Sequence, residues 1–182
     1  AILEPAKRSF IGEKPPKLIE VESNKTYYIE SLKIDKTGSK SSIGQWLHGS
    51  DIPLNPDLTA IIGNKGSGKS ALADILALLG NSRQSSHFSF LKKDRFYGKS
   101  GEPANQFTGT LTWLDGSTEP RKLNETVPEE KAEKVRYIPQ NYFEGLCNDH
   151  VSGKSEAFEN ELREVIFSHV SDEMRLDALD FE

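Results

Sequence analysis

The sequence contains a single cysteine, Cys147, so it can form neither an internal disulfide nor a zinc site with several thiolates. It has no apolar run long enough to span a membrane. The opening residues, AILEPAKRSFIGEKPPKL, are polar and interrupted by proline, unlike a secretory signal. These absences predict a cytoplasmic protein with no membrane partner. The missing initiator methionine and the ending at Phe181-Glu182 predict an excised fragment.

Basic residues are in the minority, with 23 Lys and Arg against 28 Asp and Glu, which gives a formal net charge of −5. This balance argues against attraction of nucleic acid to the whole surface but allows a local basic patch. Residues 83–99, RQSSHFSFLKKDRFYGK, interleave basic and aromatic side chains, a pattern that can bind a phosphate backbone and stack on bases. We favour the alternative, a surface excursion whose aromatic side chains pack onto the domain.

The most informative stretch is 58–80, LTAIIGNKGSGKSALADILALLG. Its apolar run at 58–62 predicts a buried strand, and Leu72, Ile75, Leu76 and Leu79 recur at helical spacing. Between them, residues 63–70 match the phosphate-loop pattern G-x-x-x-x-G-K-[S/T]. The glycines let successive N–H groups turn inward around an anion, and the helix start adds unpaired N–H groups. A phosphate cradle between a strand and a helix is therefore predicted.

Within this cradle, Lys69 is predicted to reach the β- and γ-phosphates as a catalytic residue, and the Ser70 hydroxyl to ligate Mg²⁺. The alternative, a glycine-rich turn with a solvated lysine, fits the flanking patterns less well. The predicted nucleotide contacts are Gly63, Asn64, Lys65, Gly66, Ser67, Gly68, Lys69, Ser70 and Ala71.

Other segments have the following predicted structure. Residues 1–24 are expected to form a linker or the tail of a preceding domain, with Pro15-Pro16 in an extended segment. Residues 26–36 predict a strand with Ile29, Leu32 and Ile34 in the core, and a loop follows over 38–55. Residues 107–114 and 119–123 predict a small β-hairpin subdomain around the turn Asp115-Gly116. The remaining predictions are a strand at 135–140, a helical turn at 141–147 and a helix at 155–170.

A phosphate loop, an intervening β segment and a strand ending in Pro139-Gln140 resemble the first lobe of ATP-binding-cassette ATPases, most closely the SMC and RecF heads. The resemblance implies an α/β P-loop NTPase fold with a small antiparallel β subdomain, and an ATPase that uses ATP and Mg²⁺. It also implies that Gln140 lies near Mg²⁺ and the γ-phosphate, as a metal ligand and catalytic residue.

The family further needs a signature motif and a hydrophobic strand ending in acidic residues, and this chain has neither. The resemblance therefore implies a C-terminal ATPase lobe of the same protein as partner, an ATP-dependent homodimer at full length, and DNA or RNA as a further partner. The wording GNKGSGKSALADILALLG together with FSFLKKDRF resembles the ATPase portion of TrlF-like proteins, in which a PHP-type phosphoesterase-like domain comes first.

The predicted domain organisation is a linker or tail over 1–24, a P-loop ATPase lobe over 25–150 and a helical segment over 151–182 that could begin a helical arm. The four histidines have no spacing typical of a metal site. For Trp46 we favour packing at the surface over an adenine contact of the kind that cassette ATPases place ahead of the phosphate loop.

The sequence also bears on three other functions. A nucleotide kinase would need arginines that converge on the transferred phosphates, and no lid cluster is recognisable. A GTPase would show a guanine-reading Asn-Lys-x-Asp after the phosphate loop, which is absent from the sequence. The third alternative is a nucleotide-gated binding scaffold that never hydrolyses ATP. The sequence does not exclude this function, because the residues that polarise the attacking water would lie outside this chain.

Overall fold

The computed structural model describes residues 11–37, 44–98 and 103–139, together with isolated positions between 144 and 174. The chain divides into two compact units, Ala1–Tyr137 and Ile138–Glu182. The first unit is a mixed α/β structure that contains the predicted phosphate loop. Its elements in chain order are α1 (Pro16–Ser23), β1 (Ile29–Lys36), β2 (Ser50–Pro53), α2 (Lys69–Leu79), β3 (Phe107–Trp113) and β4 (Thr118–Lys122). Short 3₁₀ helices cover Lys25–Tyr27, Gln45–Leu47, Ser85–His87 and Pro103–Gln106.

The four strands form one antiparallel sheet in the order β2-β1-β3-β4. The predicted hairpin is present as β3 and β4, and its turn is closed by Ser117, which donates its N–H and hydroxyl to Asp115 Oδ1 at 2.9 and 2.6 Å. However, the hairpin is not a separate subdomain, because β3 pairs along its length with β1. A continuous sheet buries more apolar surface than an isolated two-stranded hairpin, which is marginally stable in water.

Helix α2 packs on one face of this sheet and closes the core. Ile75 and Leu79 of the helix are fully buried, as are Leu32 and Leu111 of the sheet. A Cβ atom at Gly109 would lie 2.8 Å from Leu79 Cδ1, so the glycine in β3 lets the helix approach the strand closely. The helix that begins at the phosphate loop is therefore fixed to a rigid platform.

The carboxyl end of α2 is held by a buried arginine. Arg121 of β4 donates one hydrogen bond to the carbonyl oxygen of Leu78 at 2.5 Å and another to Asn81 Oδ1 at 2.6 Å. A cation at this end of a helix is favourable because the unpaired carbonyl groups carry partial negative charge. Arg121 thus fixes α2 at the end opposite the phosphate loop.

Five segments differ from the sequence prediction. The strand predicted over 26–36 begins only at Ile29, and Lys25–Tyr27 form a 3₁₀ helix. Where an extended segment was predicted, Pro16 is instead the first residue of α1, a position at which proline's missing N–H costs nothing. Within the predicted loop over 38–55, residues Ser50–Pro53 pair with β1 as strand β2. The predicted strands at 58–62 and 135–139 are wrong for this structure, because neither segment pairs with another strand among the described residues. The apolar composition of 58–62 predicts a buried segment, but in the structure this segment is exposed.

Several predictions fall wholly or largely outside the described residues. These are Gln140, the helical turn at 141–147 and most of the helix at 155–170. Within that last segment, the described residues Glu159, Asn160, Arg163, Ile166 and Phe167 are helical, whereas Val170 lies in a bend. No helix in the described parts of the chain has the combination of length and apolarity needed to cross a bilayer.

Candidate phosphate-binding site

The predicted phosphate loop is an exposed turn that leads directly into α2. Gly66 and Gly68 have positive φ angles of 85° and 90°, a left-handed conformation that residues with a side chain adopt only with strain. A Cβ atom at Gly63 would overlap the Ser67 hydroxyl. The Ser67 N–H donates to the Asn64 carbonyl oxygen at 3.2 Å, which tightens the turn. The backbone conformation thus favours glycine at positions 66 and 68, whereas a side chain at position 63 would require the Ser67 hydroxyl to move.

The amino end of α2 carries the groups expected to contact phosphate. Gly68 occupies the N-cap position and no side chain caps the helix. The first helical hydrogen bond runs from the Leu72 N–H to the Gly68 carbonyl oxygen at 2.9 Å, so the N–H groups of Lys69, Ser70 and Ala71 precede the intrahelical ladder. Uncapped N–H groups and the positive end of the helix dipole favour an anion here.

Lys69 folds back over the loop. Its ammonium group donates to the carbonyl oxygens of Gly63 and Asn64 at 2.7 and 2.9 Å. An ammonium has three donors, so one remains for a ligand. None of the ion pairs between described residues involves Lys69, and its positive charge is therefore available to an anion rather than neutralised by a carboxylate. The side chain of Ser70, next in the chain, is exposed.

Gln140, the second predicted metal ligand, lies outside the described residues. No group of three or more His, Cys, Asp or Glu side chains is arranged to hold a metal ion in the described ranges. The described part of the site therefore comprises the loop, Lys69 and Ser70.

A buried aspartate behind the site was missed by sequence reasoning. Asp74 lies in α2 and is fully buried. One carboxylate oxygen, Oδ2, accepts hydrogen bonds from the N–H groups of residues 89, 90 and 91 at 2.8, 2.6 and 3.2 Å. The other, Oδ1, accepts one from the Tyr137 hydroxyl at 2.9 Å. Asp74 thus attaches two distant segments to the helix that carries Lys69 and Ser70.

The environment of Tyr137 follows from this contact. Burial and the hydrogen bond to the Asp74 carboxylate raise the pKa of the Tyr137 phenol. The phenol therefore stays protonated at neutral pH and remains a donor. The sequence marks Asp74 itself but not its partners, because Asp74 lies between Ala71 and Leu78, at i−3 and i+4, in an otherwise apolar helix face.

The basic turn, residues 88–97, presents its charges but not its rings. Phe88 and Phe96 are buried, and Phe90 stacks on Phe96 with ring centroids 4.5 Å apart. The Tyr97 hydroxyl donates to the Asn124 carbonyl oxygen at 2.5 Å. The charged side chains Lys92, Lys93 and Arg95 are exposed. The preferred interpretation, aromatic residues packed on the domain, is confirmed, and these rings are not placed to stack on bases.

Comparisons with known proteins give little further information. No protein-family model matches the chain, and no curated protein is similar enough to count as a match. Among solved structures, one described as "Structural biochemistry of ATP-driven dimerization and DNA stimulated activation of SMC ATPases" is 24% identical over 52% of this chain and 68% of that chain, with a TM-score of 0.27. Similarity at this level does not show a shared fold.

Proposed function

We propose that the chain binds ATP with Mg²⁺ through residues 63–71, as the first lobe of a P-loop ATPase of the ATP-binding-cassette class. The observation that carries this proposal is the loop itself. Gly66 and Gly68 adopt left-handed backbone conformations and deliver Lys69 and Ser70 to an uncapped helix start. A triphosphate site requires free N–H groups, a cation and a hydroxyl for the metal, and the uncapped helix start, Lys69 and Ser70 would supply them.

The residues at the helix start fit a magnesium ion held mainly by the nucleotide. Mg²⁺ prefers oxygen ligands and usually keeps several waters beside one or two protein groups and the phosphates. The exposed Ser70 hydroxyl supplies one such oxygen, and Gln140 is the proposed second. Bound there, the ion would neutralise charge on the β- and γ-phosphates, while Lys69 would share its ammonium between the loop carbonyls and a phosphate oxygen.

Hydrolysis is proposed to require a C-terminal lobe of the same protein. Leu58 and Ile62, which flank the loop on its amino side, are 79% and 90% exposed. Apolar side chains in a segment with strand-like composition gain most from burial when a neighbouring strand covers them. We propose that the second lobe supplies that cover, together with the groups that orient the attacking water, and that ATP then drives dimerisation of two heads.

The cellular role that we propose, DNA processing or defence, comes from the resemblance to SMC, RecF and TrlF-like proteins. The exposed charges of the basic turn support a polyanionic partner. In the full-length protein, Gln140 is proposed to act in turnover more than in nucleotide affinity.

Titration calorimetry of Mg²⁺·ATP against the wild-type chain and Lys69→Ala tests the proposal. We expect the wild type to bind and Lys69→Ala to lose most of the affinity, because Lys69 supplies charge to phosphate and little packing. The control is Lys33→Ala, which removes the same charge from an exposed strand position paired with Asp35 at 3.4 Å. Equal affinities for the wild type and Lys69→Ala would reject the phosphate-loop interpretation.

A further inference from the structure

The indole of Trp46 rests against the phosphate loop. A Cβ atom built on Gly68 would lie 2.9 Å from Trp46 Cζ3 and 3.3 Å from Cη2, so the ring covers the α-carbon of the residue that caps α2. Trp46 is nevertheless 57% exposed. Its role is therefore not that of a core residue, and its contact is directed at the backbone of the cradle.

The position of Trp46 is fixed by its own short helix. The 3₁₀ helix Gln45–Leu47 starts after Gly44, whose φ of 72° is left-handed and whose absent Cβ leaves room for the Phe107 and Phe96 rings. Leu47 is buried, and His48 Nδ1 accepts a hydrogen bond from the Lys36 N–H at 3.1 Å. The chain on both sides of Trp46 is thus anchored to the sheet and the core.

A second support holds the ring from behind. Phe90 meets the indole edge-on, with centroids 5.8 Å apart. The N–H of Phe90 donates to Asp74 Oδ2 at 2.6 Å, and Asp74 belongs to the helix that Gly68 caps. Gly68 and Asp74 are therefore connected in two ways. One connection is helix α2 itself, and the other is the series of contacts from Asp74 to Phe90, from Phe90 to Trp46 and from Trp46 to Gly68.

We propose that Trp46 is a positioning residue that braces the phosphate loop, with Phe90 and Asp74 holding it in place. The proposal rests on the proposed function, since it concerns the same cradle. Exposed glycine-rich turns sample many conformations, and only those with inward N–H groups bind an anion. By limiting the movement of Gly68, the brace raises the fraction of loops that are ready to bind. Apparent affinity scales with that fraction.

The test separates bracing from stacking on a base by comparing two ligands. Mg²⁺·ATP has a base and Mg²⁺·tripolyphosphate has none, but both use the same cradle. We expect Trp46→Ala to weaken both ligands equally, by roughly tenfold, because the loss lies in the fraction of competent loops. Trp46→Phe should give a smaller loss, equal again for the two ligands. Because the indole is more than half exposed, Trp46→Ala should still unfold cooperatively on heating.

Trp113→Phe serves as the matched control, since Trp113 lies buried in β3 and its Nε1 has no acceptor among the described residues. It should leave both affinities unchanged. Loss of ATP affinity alone in Trp46→Ala would identify base stacking and overturn the brace. Unchanged affinity for both ligands would overturn it as well. In either case the proposed function would survive, whereas a wild-type chain that binds neither ligand would overturn both proposals.

Discussion

At the scale of single residues, Asp74 joins α2 to residues 89–91 and to Tyr137. A carboxylate that accepts four hydrogen bonds and is fully buried is tolerated only because every partner is a donor. Three of these donors are backbone N–H groups of one partly buried turn, residues 89–91, and Asp74 is their hydrogen-bond acceptor. The residue that looks out of place on an apolar helix face is therefore the one that joins the helix to its surroundings.

Replacing Tyr137 with phenylalanine tests the hydrogen bond between Tyr137 and Asp74. The Phe88 ring, 5.6 Å away, keeps its aromatic neighbour, but Asp74 Oδ1 loses its donor. We expect Tyr137→Phe to lower the free energy of unfolding by about 1 kcal/mol at neutral pH, measured by urea denaturation. Tyr28→Phe is the control. It should lower the free energy of unfolding by less, because the phenol of Tyr28 donates to Glu20, which is exposed.

The same pair of proteins gives a pH dependence. The folded state raises the pKa of Tyr137, so it holds the phenolic proton more tightly than the unfolded chain does. Stability from this group is therefore complete below pH about 10, the ordinary pKa of tyrosine, and declines as the pH rises further. The difference in unfolding free energy between the wild type and Tyr137→Phe should shrink above that pH. A constant difference up to strongly alkaline pH would contradict the assignment.

At the scale of elements, the sequence predicted the hairpin and the start of α2, because both depend on residues that are close together in the chain. The alternation in β3 and the turn at Asp115-Gly116 specify a hairpin because neighbouring strands form it without help from distant residues. Helix α2 begins where the glycines end, as the motif predicts. Strand β2 was missed because its four residues show no clear alternation and depend on pairing with β1. The segment 58–62 has a buried strand's composition, but no partner in the described sheet.

Burial also separates the charged side chains of the basic turn from its rings. The sequence shows charges and rings side by side, but only the structure separates exposed Lys92 and Lys93 from buried Phe88 and Phe96. Similarly, the motif predicts Lys69 and Ser70 as phosphate and metal contacts from a contiguous stretch of sequence. The contacts of Asp74 with Phe90 and Tyr137 span 16 and 63 positions, which no local pattern encodes.

The basic turn makes a separate prediction. Reversing both charges in Lys92→Glu/Lys93→Glu should weaken binding of an oligothymidine to the chain and flatten the dependence of log K on log salt, because fewer phosphates are neutralised. Fluorescence anisotropy over a series of salt concentrations measures both. The control, Lys25→Glu/Lys33→Glu, changes the net charge equally at other exposed positions. An unchanged salt slope in the first variant, or the same change in both, would exclude the basic turn as the contact surface.

At the scale of the whole molecule, the proposed half-site has consequences for catalysis. Positioning and charge stabilisation supply nearly all the rate enhancement in phosphoryl transfer. In the proposed function, the groups that orient the attacking water come from the second lobe. Residues 1–182 alone should therefore bind ATP weakly, stay mostly monomeric and hydrolyse ATP negligibly. Adding the proposed C-terminal lobe should restore turnover and ATP-dependent dimerisation, as followed by phosphate release and light scattering. Robust hydrolysis by residues 1–182 alone, lost in Lys69→Ala, would revive the compact kinase alternative.

The central claim, that the loop at 63–71 binds triphosphate with its backbone, can be measured directly. Amide chemical shifts of the ¹⁵N-labelled chain, followed by solution NMR during addition of Mg²⁺·ATP, report each N–H group separately. The largest shifts should occur at Gly66, Gly68, Lys69 and Ser70, since their N–H groups face the phosphates in the proposed site. Saturating shifts centred elsewhere, with the amides of this loop unmoved, would contradict the account.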